Sequence, residues 1–187
     1  MSPRKPPPSP APDTLSDPVD WAKHYWEQQG LEGDELRFLA MSSLMRYQRI
    51  VVDTIEEQLR RLGINTTDYL LLMTLQLSES GTRVISGLAR SLMVHPTTAT
   101  LATDRLEAKG LLRRTPHPTD RRATCVTITD DGRRLVHDTT IALGEVEFGL
   151  IGASGPEVNR LMSVLSQLRT SAGDTGRSKA RPVASAG

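Results

Sequence analysis

The segment that most restricts the fold is LLRRTPHPTDRRATCVTIT, residues 111–129. LLRRTP and RATCVTIT both read as short strands, the second alternating β-branched and smaller residues. Only the six residues HPTDRR separate them, so the two runs are expected to pair as an antiparallel hairpin. Pro116 and Pro118 stiffen the approaches to the loop and lack the N–H groups that a longer ladder would need. Asp120 is close enough in sequence to pair with Arg122 and fix its guanidinium, which leaves Arg121 and Arg122 projecting from the loop tip.

Upstream of the hairpin the apolar spacing is helical. Ser86 is a cap candidate for a short helix, GLARSLM, and Val94-His95 is a tight connection. Pro96 suits the first turn of the next helix, TTATLATDRLEAK, because the N–H it lacks would be unpaired there. Gly110 ends that helix. Before this pair, TRVI is short and β-branched, a minor strand. A helix from Thr67 to Leu77, capped by Thr66 or Thr67, carries Tyr69, Leu70, Leu72, Met73 and Leu75.

The outer segments are helical too. DPVDWAKHYWEQQG has Asp17 as a cap candidate and Gly30 where a helix would stop. From Asp34 to Leu62, Phe38, Met41, Met45, Val52, Ile55, Leu59 and Leu62 recur at three- and four-residue steps, and Leu44, Tyr47 and Val51 form a second stripe. Two apolar faces on one helix need two things to pack against, the protein body and a second copy of the chain. After the hairpin, Thr129 caps a helix with Leu135, Thr139, Leu143, Val146 and Leu150 on one face. Ser154 and Glu157 have capping-box spacing ahead of Val158, Leu161, Leu165 and Leu168.

Residues 1–18 and 171–187 are poor in large apolar groups and are expected to be disordered. The expected organisation is therefore N-terminal dimerisation helices over 19–62, a helix–turn–helix with hairpin over 64–129, and C-terminal dimerisation helices over 130–170. The fold class is mainly α, a winged helix-turn-helix with a small β-hairpin wing.

That arrangement suits duplex DNA. The second helix of the pair would enter the major groove and present Thr97, Thr98, Thr100, Leu101 and Arg105, with Ala99, Ala102 and Leu106 on its packed side. His95 and His117 are further polar groups facing DNA. The wing would offer His117, Thr119, Asp120, Arg121 and Arg122 to a phosphate or a narrow minor groove. Between Arg105 and Arg122 there are six basic and two acidic residues, a formal +4 in a chain of net +1.

Other classes find little support. One cysteine, Cys125, excludes an internal disulfide and a cysteine metal cluster, and its place in a strand suits burial. His24, His95, His117 and His137 share no metal-ligand spacing. No apolar run approaches the roughly 20 residues of a membrane span, and MSPRKPPPSPAPD lacks the apolar core of a signal peptide. The expected location is the cytoplasm. No catalytic motif and no cofactor motif appear, so an enzyme is not expected.

VHPTTATLATDRLEAKGLLRRTPHPTDRRATCVTITDDG resembles the core of MarR-type transcriptional regulators. The resemblance rests on DRLE, the KGLLRR turn into the first wing strand, the P-x-D-R-R wing tip and the T-x-x-G entry to the next helix, over about residues 64–135. It implies a homodimer binding a pseudo-palindromic operator, and a response to small aromatic or phenolic anions bound between the dimer helices and the DNA-binding lobe. The helix of Trp21 and Trp26 looks like the extra first helix of urate-responsive members. Those members carry an Asp where this chain has Leu70, and an Arg where it has Ala102. Trp21, Tyr25, Trp26, Tyr47 and Tyr69 are the residues expected at an aromatic effector site, with docking of the extra helix as the competing role of the first three.

Overall fold

The computed structural model describes residues 17–120 and 122–174. Seven helices and three strands follow one another along these residues: α1 (Pro18–Gln28), α2 (Glu35–Arg61), α3 (Thr66–Gln76), β1 (Thr82–Val84), α4 (Ile85–Ser91), α5 (Pro96–Ala108), β2 (Leu112–Pro116), β3 (Thr124–Ile128), α6 (Asp130–Glu145) and α7 (Gly155–Ser171). The mainly helical, winged helix-turn-helix expectation is met. The described residues divide into two compact units, the first ending at Gly149 and the second beginning at Leu150. Among the described residues no helix is long and apolar enough to cross a membrane.

The helix ends follow local chemistry. The Asp17 carboxylate accepts from the Val19 N–H at 2.7 Å, with Pro18 opening α1. Asp17 and Pro18 therefore belong to the fold rather than to an N-terminal tail, and Ser171 likewise belongs to α7. The rest of both expected disordered segments lies outside the described residues, apart from residues 172–174. The cap of α3 is Asn65, not Thr66 or Thr67. Asn65 Oδ1 accepts from the Asp68 N–H at 2.9 Å, and Asp68 answers as a capping box. Thr66 instead donates its N–H (2.9 Å) and its hydroxyl to Glu56, which ties α3 to α2. Ser86 lies inside α4 rather than capping it, because β1 runs straight into the helix at Val84 without a side-chain cap.

Within the first unit the apolar side chains form two clusters. Leu71, Leu72 and Leu75 of α3 meet Leu88, Ala102, Leu106, Leu112, Val126, Ile128 and Val136. Burying each such leucine contributes roughly 2 kcal/mol. Leu59, Ile64, Tyr69 and Leu143 join α2, α3 and α6 in the second cluster. Only the C-terminal half of α2 enters these clusters. Met41, Leu44 and Met45 in its N-terminal half, and Ile50 just past its middle, are about half exposed or more in the single chain.

The sheet is antiparallel in the order β1-β3-β2, with Leu112 opposite Ile128, Pro116 opposite Thr124, and Val84 opposite Cys125. Cys125 is buried, as its strand position implied. Thr129 caps α6 by accepting from the Gly132 N–H at 3.1 Å. Gly132 must be glycine, because a Cβ there would sit 2.1 Å from the Leu111 carbonyl oxygen. The α6 stripe does not continue to Leu150. Glu147 and Phe148 adopt left-handed backbone (φ 49° and 52°), and Gly149 turns against the Val51 backbone, so the helix has ended.

The second unit is α7, opened by the expected capping box. Ser154 donates its N–H (2.8 Å) and hydroxyl (2.6 Å) to the Glu157 carboxylate. These bonds hold Glu157 below the usual carboxylate range. No residue of α7 is buried, and Met162, Val164 and Leu168 are more than half exposed.

Candidate nucleic-acid interface

α5 has a sharply divided surface. Ala99, Ala102, Thr103 and Leu106 are buried, while Thr97, Thr98, Thr100, Leu101 and Arg105 are exposed. The division follows the sequence, since alanines at 99 and 102 let α5 approach α4 closely. His95 is the cap of α5. Its Nδ1 accepts from the Thr97 N–H at 3.3 Å, so the ring serves the helix end at the edge of the outward face.

The wing loop is held from inside. The His117 N–H donates to the Ala123 carbonyl (3.1 Å), and His117 Nδ1 accepts from the Asp120 N–H (3.1 Å) and the Thr119 N–H (3.3 Å). Asp120 accepts from the Arg122 backbone N–H at 2.9 Å. It therefore fixes the turn rather than the Arg122 guanidinium, which forms no ion pair among the described residues. A carboxylate two residues before an N–H closes a ring with that amide more readily than with a side chain several bonds further out. Arg122 is exposed, and Arg121 lies outside the described residues.

Helix and wing meet over an open cleft of about 470 Å³, lined by Thr100, Arg114, Asp120 and Arg122 together with Ser86, Pro96 and others. Of the expected DNA-facing residues, the structure brings Thr100, Asp120 and Arg122 to this cleft. His95, Thr97, Thr98, Leu101, Arg105, His117 and Thr119 do not line it.

The positive charge is less free than the count implied. Arg105 donates to Asp68 Oδ1 at 2.8 Å, and Asp68 is buried. Arg114 pairs with Asp104, and Lys109 donates to the Gly63 carbonyl. Three of the six basic residues are thus engaged internally. The sequence held part of this signal: starting the count one residue earlier brings in Asp104. The partnership of Asp68 with Arg105, 37 residues apart, has no local signature.

The aromatic residues separate into two groups. Trp21, Tyr25 and Trp26 line an apolar groove of about 300 Å³ with Leu31 and Phe38, and the Trp26 and Phe38 rings lie 5.0 Å apart. Tyr47 and Tyr69 are elsewhere. Tyr69 is in the core, its hydroxyl 3.2 Å from that of Thr140, and Tyr47 sits on the exposed half of α2. The five aromatics expected at one effector site are therefore not brought together: Tyr47 on α2 and Tyr69 on α3 lie apart from the groove of Trp21, Tyr25 and Trp26.

The MarR family model matches residues 64–124. Sco5413, a MarR family transcriptional regulator from Streptomyces coelicolor, is 34% identical and superposes with a TM-score of 0.70 over 76% of this chain and 99% of its own. PrsX, an HTH-type transcriptional regulator of Escherichia coli, is 34% identical over 104 residues, 56% of this chain and 63% of PrsX. That match spans just under two thirds of the curated relative. Sco3205, a MarR family regulator from Streptomyces coelicolor whose structure is in complex with DNA, shares the fold at 23% identity, with a TM-score of 0.68 over 81% of this chain and 95% of its own. Fold, wing geometry and the similarity to Sco5413 over nearly its whole length lead to one assignment: the chain belongs to the MarR family of transcriptional regulators.

Proposed function

We propose that two copies of this chain bind a pseudo-palindromic operator in double-stranded DNA and repress transcription by occupying it. The observation that carries the reading is the outward face of α5. Thr97, Thr98, Thr100 and Leu101 stand exposed on a helix whose other side is fixed by Ala99, Ala102 and Leu106. Threonine hydroxyls can exchange hydrogen bonds with base edges, and the methyl groups of threonine and leucine can meet a thymine methyl. Arg122, with Arg121 beside it in sequence, supplies the phosphate or minor-groove contact. Arg105 stays with Asp68 and is assigned to holding the helix.

A second copy is supported by exposed apolar surface. Along α2, Met41, Leu44, Met45 and Ile50 are presented outward, and α7 separately presents Met162, Val164 and Leu168. Such side chains are ordinarily covered in an obligate dimer. The domain boundaries follow: dimerisation helices over 19–62 and 130–170 flank the DNA-reading lobe at 64–129. An operator-binding regulator acts in the cytoplasm. The groove of Trp21, Tyr25 and Trp26 is the proposed seat of a small aromatic or phenolic effector, its apolar walls suited to a planar ring.

Selection of bound duplexes from a random pool, with mass measurement of the complex, tests the reading. The expected result is two inverted half-sites about one helical turn apart and a complex of two chains per duplex. A monomeric protein that enriches no duplex at low salt would overturn it. Transcription from a promoter carrying the selected site fixes the sign of regulation, and tryptophan fluorescence titration with salicylate probes the groove.

A further inference from the structure

We propose that Arg114 is a positioning residue that sets the recognition helix and the wing in register, and thereby determines operator specificity without touching DNA. The inference rests on the DNA-binding reading above. Arg114 stands on β2, the edge strand of the wing, yet its guanidinium reaches back to four groups of α5. Nη1 pairs with Asp104 and lies 3.7 Å from Glu107 Oε2. Nη2 donates to the Thr103 hydroxyl and to the Thr100 carbonyl at 3.2 Å. The backbone N–H of Arg114 donates to Glu107 Oε1 at 2.9 Å. A phosphate-seeking arginine would point outward. This side chain is only 25% exposed, and its Nε is enclosed.

The contacts fall where they control recognition. Thr100 is a proposed base reader, and its carbonyl is one of the acceptors. Thr103 is wholly buried, and its hydroxyl links both to Arg114 and, at 2.7 Å, to the same Thr100 carbonyl. Arg114 therefore fixes the rotation of the α5 reading face relative to the strand that carries the Arg122 loop. A planar fork can hold several acceptors at fixed angles. A lysine ammonium, a single point of charge on a flexible stem, cannot. Losing the fork would leave both elements present but loosely registered. Contacts that need both at once would suffer, and delocalised attraction to phosphates would not.

The test compares wild type, Arg114→Lys, Arg114→Met and Asp104→Asn in the full-length chain. Without DNA, amide hydrogen exchange of residues 117–123 and of α5 is measured. With DNA, affinity is measured for the selected operator and for random duplex across a salt series. The expected result is faster exchange in the wing loop for all three variants. Operator-over-random discrimination falls at least tenfold, while random-duplex affinity stays within about twofold and the salt slope is unchanged. Lysine does not rescue. Asp104→Asn combined with Arg114→Met is no worse than the worse single variant, as expected for two members of one contact. Rescue by lysine, or an equal loss on both duplexes with the salt slope reduced by about one, would make Arg114 a phosphate contact and overturn the proposal. Unchanged discrimination would overturn it too. If the wild type binds no duplex, the functional reading fails, and the DNA-free exchange still decides whether Arg114 couples wing to helix.

Discussion

Arg105 Nη2 lies 2.8 Å from Asp68 Oδ1, and only the aspartate of the pair is buried. The bond joins the outward side of the recognition helix to the first turn of α3. Asp68 also closes the capping box of α3 with Asn65, so a single carboxylate orders one helix start and anchors a second helix.

Arg105→Ala is expected to destabilise the chain by about 1–2 kcal/mol, since it strands a buried carboxylate. The half-exposed arginine keeps the figure below that of a fully enclosed pair. Urea unfolding measures the loss. The slope of duplex affinity against salt should remain that of the wild type. A slope smaller by about one, at unchanged stability, would return Arg105 to the phosphates.

Two glycines in helices should respond to alanine with opposite signs. Gly132 lies in α6, where an added Cβ would meet the Leu111 carbonyl oxygen at 2.1 Å and Ile128 Cγ1 at 2.8 Å. Both neighbours belong to the packed core, so Gly132→Ala should cost about 3 kcal/mol. Gly87 lies in α4 with nothing within 4 Å of the added atom. Gly87→Ala should stabilise by about 0.5–1 kcal/mol through helix propensity. Thermal unfolding of the DNA-free protein checks both. Equal effects would show that propensity, not the close approach, governs position 132.

These contacts mark how far the sequence could be read. Helix positions, the hairpin and its six-residue loop were legible because apolar period, proline placement and caps such as Asp17 and Thr129 act within a few residues. The exposed face of α5 was legible for the same reason, since alanines and threonines alternate at helical spacing. The partners of its charges were not. In DRLE, Asp104 meets Arg114, Arg105 meets Asp68, Leu106 enters the core, and Glu107 receives the Arg114 N–H. The motif looks like a DNA contact in sequence and is largely a packing device in three dimensions, because only tertiary distance decides whether an arginine faces phosphate or carboxylate. The α6 end was missed on similar grounds. The apolar stripe continues to Leu150, but left-handed Glu147 and Phe148 stop the helix for contacts with α2.

The role found for Asp120 separates two substitutions. Its carboxylate accepts from the Arg122 backbone N–H, a bond that the Asn carbonyl can also make. Asp120→Asn should therefore retain operator affinity, or raise it slightly by removing a negative charge near phosphate. Asp120→Ala should lose about 1 kcal/mol, roughly fivefold in affinity. Equal losses for Asn and Ala would restore the alternative in which the aspartate steers the Arg122 guanidinium by charge.

The start of α7 gives a prediction in pH. The Glu157 carboxylate is held below the usual glutamate range, first by the Ser154 hydroxyl, then by the Ser154 N–H. Because the folded value is depressed, the charged form is the one the fold favours. Its contribution to the helix start is present above the ordinary glutamate range near pH 4.3 and is lost as pH falls through the lower folded value. The carboxylate also sits at the positive end of the helix dipole, which acts in the same direction. A titration of the Glu157 side-chain carbon by NMR should give a midpoint below that of an unstructured glutamate. Ser154→Ala removes the larger of the two hydrogen bonds and should move the midpoint back up, with fraying of the first turn of α7 beginning at a higher pH. Identical midpoints in the wild type and Ser154→Ala would mean that the hydroxyl does not hold the carboxylate. The capping box would then be reduced to its backbone half.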